Sequence, residues 1–167
     1  MLYPCSILKG EYSTALHYGI AFANADQNTD TGAKVIHIWK NTASEIVSKS
    51  LSKNGGIATY RGLVDIKKSA TGAVSKIDCD GLILDAISRS DTIPDIRVST
   101  PDALVAHEAS VWKISDDELF YLMSHGIPED EAKTLIVRGF VSPLMKELPL
   151  EYAAEMNILI AMEMEWL

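Results

Sequence analysis

Ser44-Glu45-Ile46-Val47-Ser48-Lys49-Ser50-Leu51, then Asn54-Gly55-Gly56, then Ile57-Ala58-Thr59-Tyr60-Arg61-Gly62-Leu63-Val64-Asp65-Ile66, decide the fold. Two runs rich in β-branched and aromatic residues flank a strong turn signal, which is how two strands and the bend between them appear in sequence. The pattern continues upstream. Tyr3–Leu8 and Ser13–Ala23 read as strands, and Tyr12, Thr14, Leu16, Tyr18, Ile20 and Phe22 keep the period of two of a half-buried strand. Asn24–Gly32 reads as a turn cluster, Lys34–Trp39 as the next strand, and Asn41-Thr42 as a bend. Downstream, Gly72 marks a turn before a strand over Val74–Leu84. Ser88–Pro94 reads as a polar loop, and strand pattern returns at Ile96–Val98 and Leu104–Ile114. No convincing helix precedes residue 115. Short strands broken by turns fit a sandwich, a barrel or a parallel β-helix, and no visible repeat chooses among them.

From Ser115 the pattern becomes helical. Ser115 with Glu118 three residues on makes a capping box, Leu119, Phe120, Leu122 and Met123 supply an apolar face, and Gly126 ends that helix. Pro128 opens the next helix in its first turn, with Ala132, Leu135, Ile136 and Phe140 along one side. Pro143 and Pro149 punctuate, and Leu150–Leu167 reads as a last amphipathic helix. Acids and bases cancel up to Ile114, so the whole net charge of −8 lies beyond it. Such a chain is a poor partner for nucleic acid, which needs a basic face. The acidic end suits either a solvated helical surface or docking to a basic face on another protein.

No apolar run approaches the ~20 residues of a bilayer span. Met1-Leu2-Tyr3-Pro4 shows neither the positive segment nor the apolar core of a secretion signal. Two cysteines, Cys5 and Cys79, make no disulfide framework, and the expected setting is reducing and cytoplasmic. There is no Walker-type phosphate loop and no Gly-x-Ser-x-Gly elbow.

The residues with metal chemistry are Cys79, His107 and Glu108. Thiolate, imidazole and carboxylate suit iron or zinc, although the spacing matches no local zinc motif. His107 and Glu108 fall on alternate faces of a strand, and Cys79 within an apolar strand equally fits a small buried hydrophobe. Asp78 and Asp80 share one strand face, the pattern that a solenoid enzyme cleaving polysaccharide would use.

Several stretches together resemble the SufB/SufD family of iron–sulfur cluster assembly scaffolds, SufB more than SufD. They are Cys79-Asp80-Gly81-Leu82-Ile83-Leu84-Asp85-Ala86-Ile87-Ser88-Arg89-Ser90-Asp91-Thr92-Ile93-Pro94 and Ala106-His107-Glu108-Ala109-Ser110-Val111-Trp112-Lys113-Ile114-Ser115. Asp30–His37, Ile46–Ser50, Tyr60–Val64, Leu119–Met123, Ile136–Phe140 and Glu147-Leu148-Pro149 match as well. The chain corresponds to roughly the C-terminal third of a SufB. The resemblance implies a mainly β fold with C-terminal helices, namely a truncated right-handed parallel β-helix over 1–114 and a helical segment over 115–167. It implies a scaffold and not an enzyme, holding or transferring a transient iron–sulfur cluster. Cys79 matches the family's essential cysteine, and His107-Glu108 the acidic-histidine motif proposed to act with it. The implied partners are a SufC-type ABC ATPase, docking on the helices near Asp116, Asp117, Phe120, Tyr121 and Phe140, and a SufD-like or second SufB-like chain. Isolated, the chain would form a homodimer. Ala106, Trp112 and Asp95 depart from the family pattern: Ala106 thins its acidic cluster, Trp112 stands where a small hydroxyl residue is usual, and Asp95 where many members have Tyr. The alternative is an interaction module of the same family without its own cluster site.

Overall fold

The computed structural model describes residues 1–165, which divide into two compact units at Trp112 and Lys113. The first holds eight strands: β1 Cys5–Leu8, β2 Thr14–Ala23, β3 Asn28–His37, β4 Ala43–Ser52, β5 Ile57–Ile66, β6 Val74–Ile83, β7 Arg89–Val98 and β8 Leu104–Lys113. Odd strands form one sheet in the order β1-β3-β5-β7 and even strands the other, β2-β4-β6-β8. Neighbours pair in parallel, so each coil contributes one strand to each sheet. Four coils make a parallel β-solenoid, in agreement with the expected fold class.

Alternation sorts the residues of each strand into an inner and an outer set. The parallel register then stacks like positions into columns. On one sheet Val35, Val64 and Ile96 align, as do Ala33, Gly62 and Pro94. On the other, His17, Ile46 and Ile77 form one column, and Gly19, Ser48 and Cys79 form the next. Val35, Ile46, Val64, Ile66 and Ile77 are almost wholly buried, each worth about 1.5–3 kcal/mol of transfer free energy. Hydroxyls also cross between the sheets: Ser50 Oγ lies 3.0 Å from Ser90 Oγ. A Cβ on Gly81 would stand 2.4 Å from that same Ser90 Oγ, so the crossing requires glycine there.

Two segments read as turns are strands. Of Asn24–Gly32, only the first four residues bend the chain; Asn28–Gly32 opens β3, paired residue for residue with β5. Ser88–Pro94, read as a loop, lies mostly in β7, whose Arg89 to Val98 pair with Ile57 to Ile66. Local composition argues for a turn in both, but the preformed edge of β5 supplies the backbone partners. Pro94 is tolerated because β7 is the edge of its sheet.

The second unit carries α1 Asp116–Ser124, α2 Glu129–Met145 and α3 Leu150–Glu165. Ser115 is the N-cap of α1, accepting from the Glu118 N–H at a long 3.5 Å, and Gly126 takes the left-handed conformation just beyond its end. Pro128 sits at the N-cap of α2. Pro143 does not interrupt α2 but lies within it, because the burial of Val141, Leu144 and Met145 outweighs the one backbone bond that proline cannot donate. Trp166 and Leu167, the end of the expected last helix, lie outside the described residues. No described helix is long and apolar enough to cross a membrane.

His37 ties a corner of the solenoid. It is fully buried, with Nδ1 2.8 Å from Thr42 Oγ1 and Nε2 2.9 Å from Ser44 Oγ, and Ser44 Oγ donates on to Ser75 Oγ at 2.9 Å. Burial pushes its pKa below the ordinary value, so the fold holds the neutral ring. Its contribution is therefore complete above the unfolded pKa of about 6.5 and is lost as pH falls through the lower folded value. Urea unfolding should show wild type losing stability from about pH 7 to about pH 5. His37→Gln, less stable at neutral pH by about 1–2 kcal/mol, should lose less over that interval. A variant with the same pH slope as wild type would exclude His37 as the source.

Candidate functional site

Strand β6 places Cys79 on the inner face, 2% exposed, between the columns of Ile77 and Gly81. Its neighbours across the ladder are small, Ser48 and then Gly19. From the opposite sheet Tyr60 occupies the space that those small residues leave. Tyr60 is 5% exposed, and its hydroxyl bonds no nitrogen or oxygen among the described residues; the group it bears on is the Cys79 sulfur. Beside them the lumen keeps a cavity of about 90 Å³, lined among others by His17, Gly19, Thr31, Ser48 and Tyr60. Burial pushes the Cys79 thiol up to about 12, helped by the negative charges of Asp80 and Asp78 and opposed by the Tyr60 hydroxyl. In this state the thiol is protonated and unreactive at neutral pH.

His107 and Glu108 lie on β8, the edge strand of the same sheet, and both are exposed. Leu104 N–H donates to Ala73 O at 2.9 Å, as Val74 N–H does to Thr42 O one coil earlier. Strand β8 thus enters the ladder with Leu104 beside Val74, and residue-for-residue continuation sets His107 beside Ile77 and Ala109 beside Cys79. Val105 packs on the core, so His107, two residues on, belongs to the inner face. Glu108 belongs to the outer face, where it acts on Lys76. Cys79 and His107 are diagonal neighbours on one face, and Glu108 is turned away. Among the described residues no group of three His, Cys, Asp or Glu side chains converges to hold a metal ion.

The other expected residues fall elsewhere. Asp78 and Asp80 do share the outer face, but lysines hold both: Lys76 lies 2.6 Å from Asp78, and Lys49 is ion-paired to Asp80. Asp116, Asp117, Phe120 and Tyr121 are exposed on α1, whose Asp117, Glu118, Tyr121 and Leu122 line an open depression of about 400 Å³. Phe140 is half-buried on α2. Tyr60 was not anticipated. Its only sequence signal is a bulky residue in an inward position facing a column of small ones, which becomes visible once the register is known.

The fold and its inward thiol define a short parallel β-solenoid with a cysteine at its lumen. Residues 1–140 match the family described as SUF system FeS cluster assembly, SufBD core domain, and the chain belongs to that family. Over 165 residues, 99% of this chain, it is 53% identical to the iron–sulfur cluster assembly protein SufB of Bacillus subtilis, covering 36% of that protein. Identity is 54% to an iron–sulfur cluster assembly SufBD family protein of Staphylococcus epidermidis, again covering 36% of it. It is 50% to a protein of the same description from Mycobacterium tuberculosis, covering 20%. The chain thus spans between a fifth and little more than a third of the length of these relatives.

The contrast between the exposed Cys5 and the buried Cys79 is directly measurable. Iodoacetamide at mildly alkaline pH should modify Cys5 to completion before Cys79 reacts detectably, and urea should release Cys79. Peptide mapping that finds both labelled at similar rates in the native chain would contradict the inward placement of Cys79.

Proposed function

We propose that this chain acts as the part of a SufB-like scaffold that holds or passes on a nascent iron–sulfur cluster, the cluster being its cargo. The observation that carries this reading is Cys79, inward among small residues and one coil before the edge strand β8, with His107 diagonal to it on the same face. Thiolate and imidazole are suitable iron ligands. The protonated thiol does not oppose this, because a bound metal ion displaces the proton and holds the thiolate. Glu108 joins such a site only where β8 turns its outer face to a partner chain. A site with few strong ligands releases its cargo readily, which suits a scaffold rather than a catalyst.

The proposed partners follow from the same surfaces. Strands β7 and β8 are sheet edges that leave Ile93, Ile96, Val98 and Val111 exposed, and unpaired edges of this kind seek another chain. A SufD-like or second SufB-like chain would cover them, giving a homodimer when this chain is alone. On α1, Phe120 is 74% exposed and Tyr121 63%, rimmed by Asp116 and Asp117. An apolar anchor inside an acidic rim fits a basic face on a SufC-type ABC ATPase, with Phe140 of α2 as a third anchor. The alternative, an interaction module without its own cluster site, has the burial of Cys79 in its favour, since a buried thiol also serves as plain core.

Anaerobic reconstitution with ferrous iron and sulfide separates the two readings. Cluster absorption that disappears in Cys79→Ser while the fold is kept supports the scaffold. Unchanged iron content in that variant leaves Cys79 as core only. For docking, titration calorimetry of Phe120→Ala/Tyr121→Ala against a SufC protein of the same organism should show affinity reduced at least tenfold, as loss of a central anchor does. Wild-type association should also slow as salt rises. Equal affinity for variant and wild type would remove the helices from the interface.

A further inference from the structure

Asn54-Gly55 is the chain's only Asn-Gly pair, and it forms the corner between β4 and β5. Asn54 has φ +55° and Gly55 φ +83°, left-handed values that asparagine tolerates and glycine takes freely. A Cβ on residue 56 would stand 2.4 Å from Ala23 O, so Gly56 must also lack a side chain. The turn therefore suits a dipeptide whose chemistry is among the least stable. With no side chain to shield it, the Gly55 nitrogen is the backbone amide best placed to attack a preceding asparagine.

Neighbouring coils hold each atom of that reaction in place. Gly55 N–H donates to Ser88 Oγ at 2.9 Å, which occupies the nucleophile. Asn54 Nδ2 donates to Asn24 Oδ1 at 3.0 Å, which anchors the leaving amide. Asn54 N–H donates to Asp85 Oδ2, and Asp85 also accepts from Ile87 N–H at 2.8 Å, Ser88 N–H at 2.7 Å and Ser88 Oγ at 2.8 Å. Asn24 belongs to the preceding coil, and Asp85 and Ser88 to the following one. Asn54 is itself exposed, so water and base have access to it.

We propose that Asn54 is a deamidation site that coil stacking holds closed, so that modification records the opening of the solenoid at this corner. When the corner opens, base in solution removes the Gly55 amide proton. The nitrogen bonds to Asn54 Cγ, the Cγ–Nδ2 bond breaks, and the amide departs as ammonia with a proton from solvent. Water then opens the five-membered imide at either carbonyl, which restores the Gly55 N–H and leaves aspartate or isoaspartate. No oxidant or cofactor is involved. The product places a carboxylate against the Asn24 Oδ1 that formerly accepted, and beside Asp85. In the isoaspartate form an extra methylene enters the backbone. Both oppose reclosure of the turn.

The test follows Asn54 by peptide mapping with separation of aspartate and isoaspartate, in the full chain incubated near neutral pH. Wild type, Ser88→Ala, Ser88→Thr and urea-unfolded wild type are compared, the variants' fold being checked by circular dichroism. Conversion should be fastest in the unfolded chain and slowest in native wild type. Ser88→Ala should convert about fivefold faster than native, the factor that loss of one hydrogen bond allows. Ser88→Thr, which keeps the hydroxyl, should stay near the native rate. A native rate equal to the unfolded one, or Ser88→Ala indistinguishable from wild type, would overturn the proposal.

Discussion

The β unit depends on strand stacked upon strand in parallel register. Each strand inside a sheet has its backbone satisfied by the coils before and after it, and each edge strand by the one coil beside it, so coils complete their neighbours. The same stacking decides the interior. A position that points inward in one coil does so in the next, and columns of like residues result. Where the columns are Val35–Val64 or Ile46–Ile77, they make a dry core. Where they are Gly19–Ser48–Cys79, they leave room, and Tyr60 and a small cavity take it. The environment of the thiol is thus a consequence of stacking and not of residues adjacent in sequence.

That environment is unusual in one respect. A buried tyrosine hydroxyl without a conventional partner costs about 1–3 kcal/mol, and proteins seldom keep one. Here it faces a sulfur that is neutral in the resting chain. Cys79 is raised by burial and by two carboxylates, and only Tyr60 works the other way. The resting thiol is therefore protonated. Under the proposed function, the positive charge of an arriving iron ion would offset the carboxylates that disfavour a bare thiolate.

Strands with strong alternation were legible from sequence, and β5 begins and ends where its β-branched run does. Strand β7 was not, because Ser-Arg-Ser-Asp-Thr-Ile-Pro is turn chemistry judged locally and becomes a strand only against the edge of β5. The solenoid itself was hidden for a related reason. Asn28 pairs with Ile57, 29 residues on, and Ile57 with Arg89, 32 residues on, so corners of unequal length blur any repeat. Only the family resemblance pointed to it. At the candidate site, the chemistry of Cys79 and His107 could be read from residue type. Alternation alone showed that Glu108 would face away from His107. That Cys79 points inward, and that Tyr60 stands over it, are properties of register between coils that no single strand carries.

The proposed scaffold role assigns iron chemistry in this chain to the lumen thiol. Diffraction at the iron absorption edge, from crystals of the protein reconstituted anaerobically with iron and sulfide, tests it most directly. Anomalous density is expected beside Cys79 Sγ, on the side facing β8 and His107. Iron bound instead at the exposed Cys5, or among the carboxylates of α1 and α2, with none at Cys79, would contradict it.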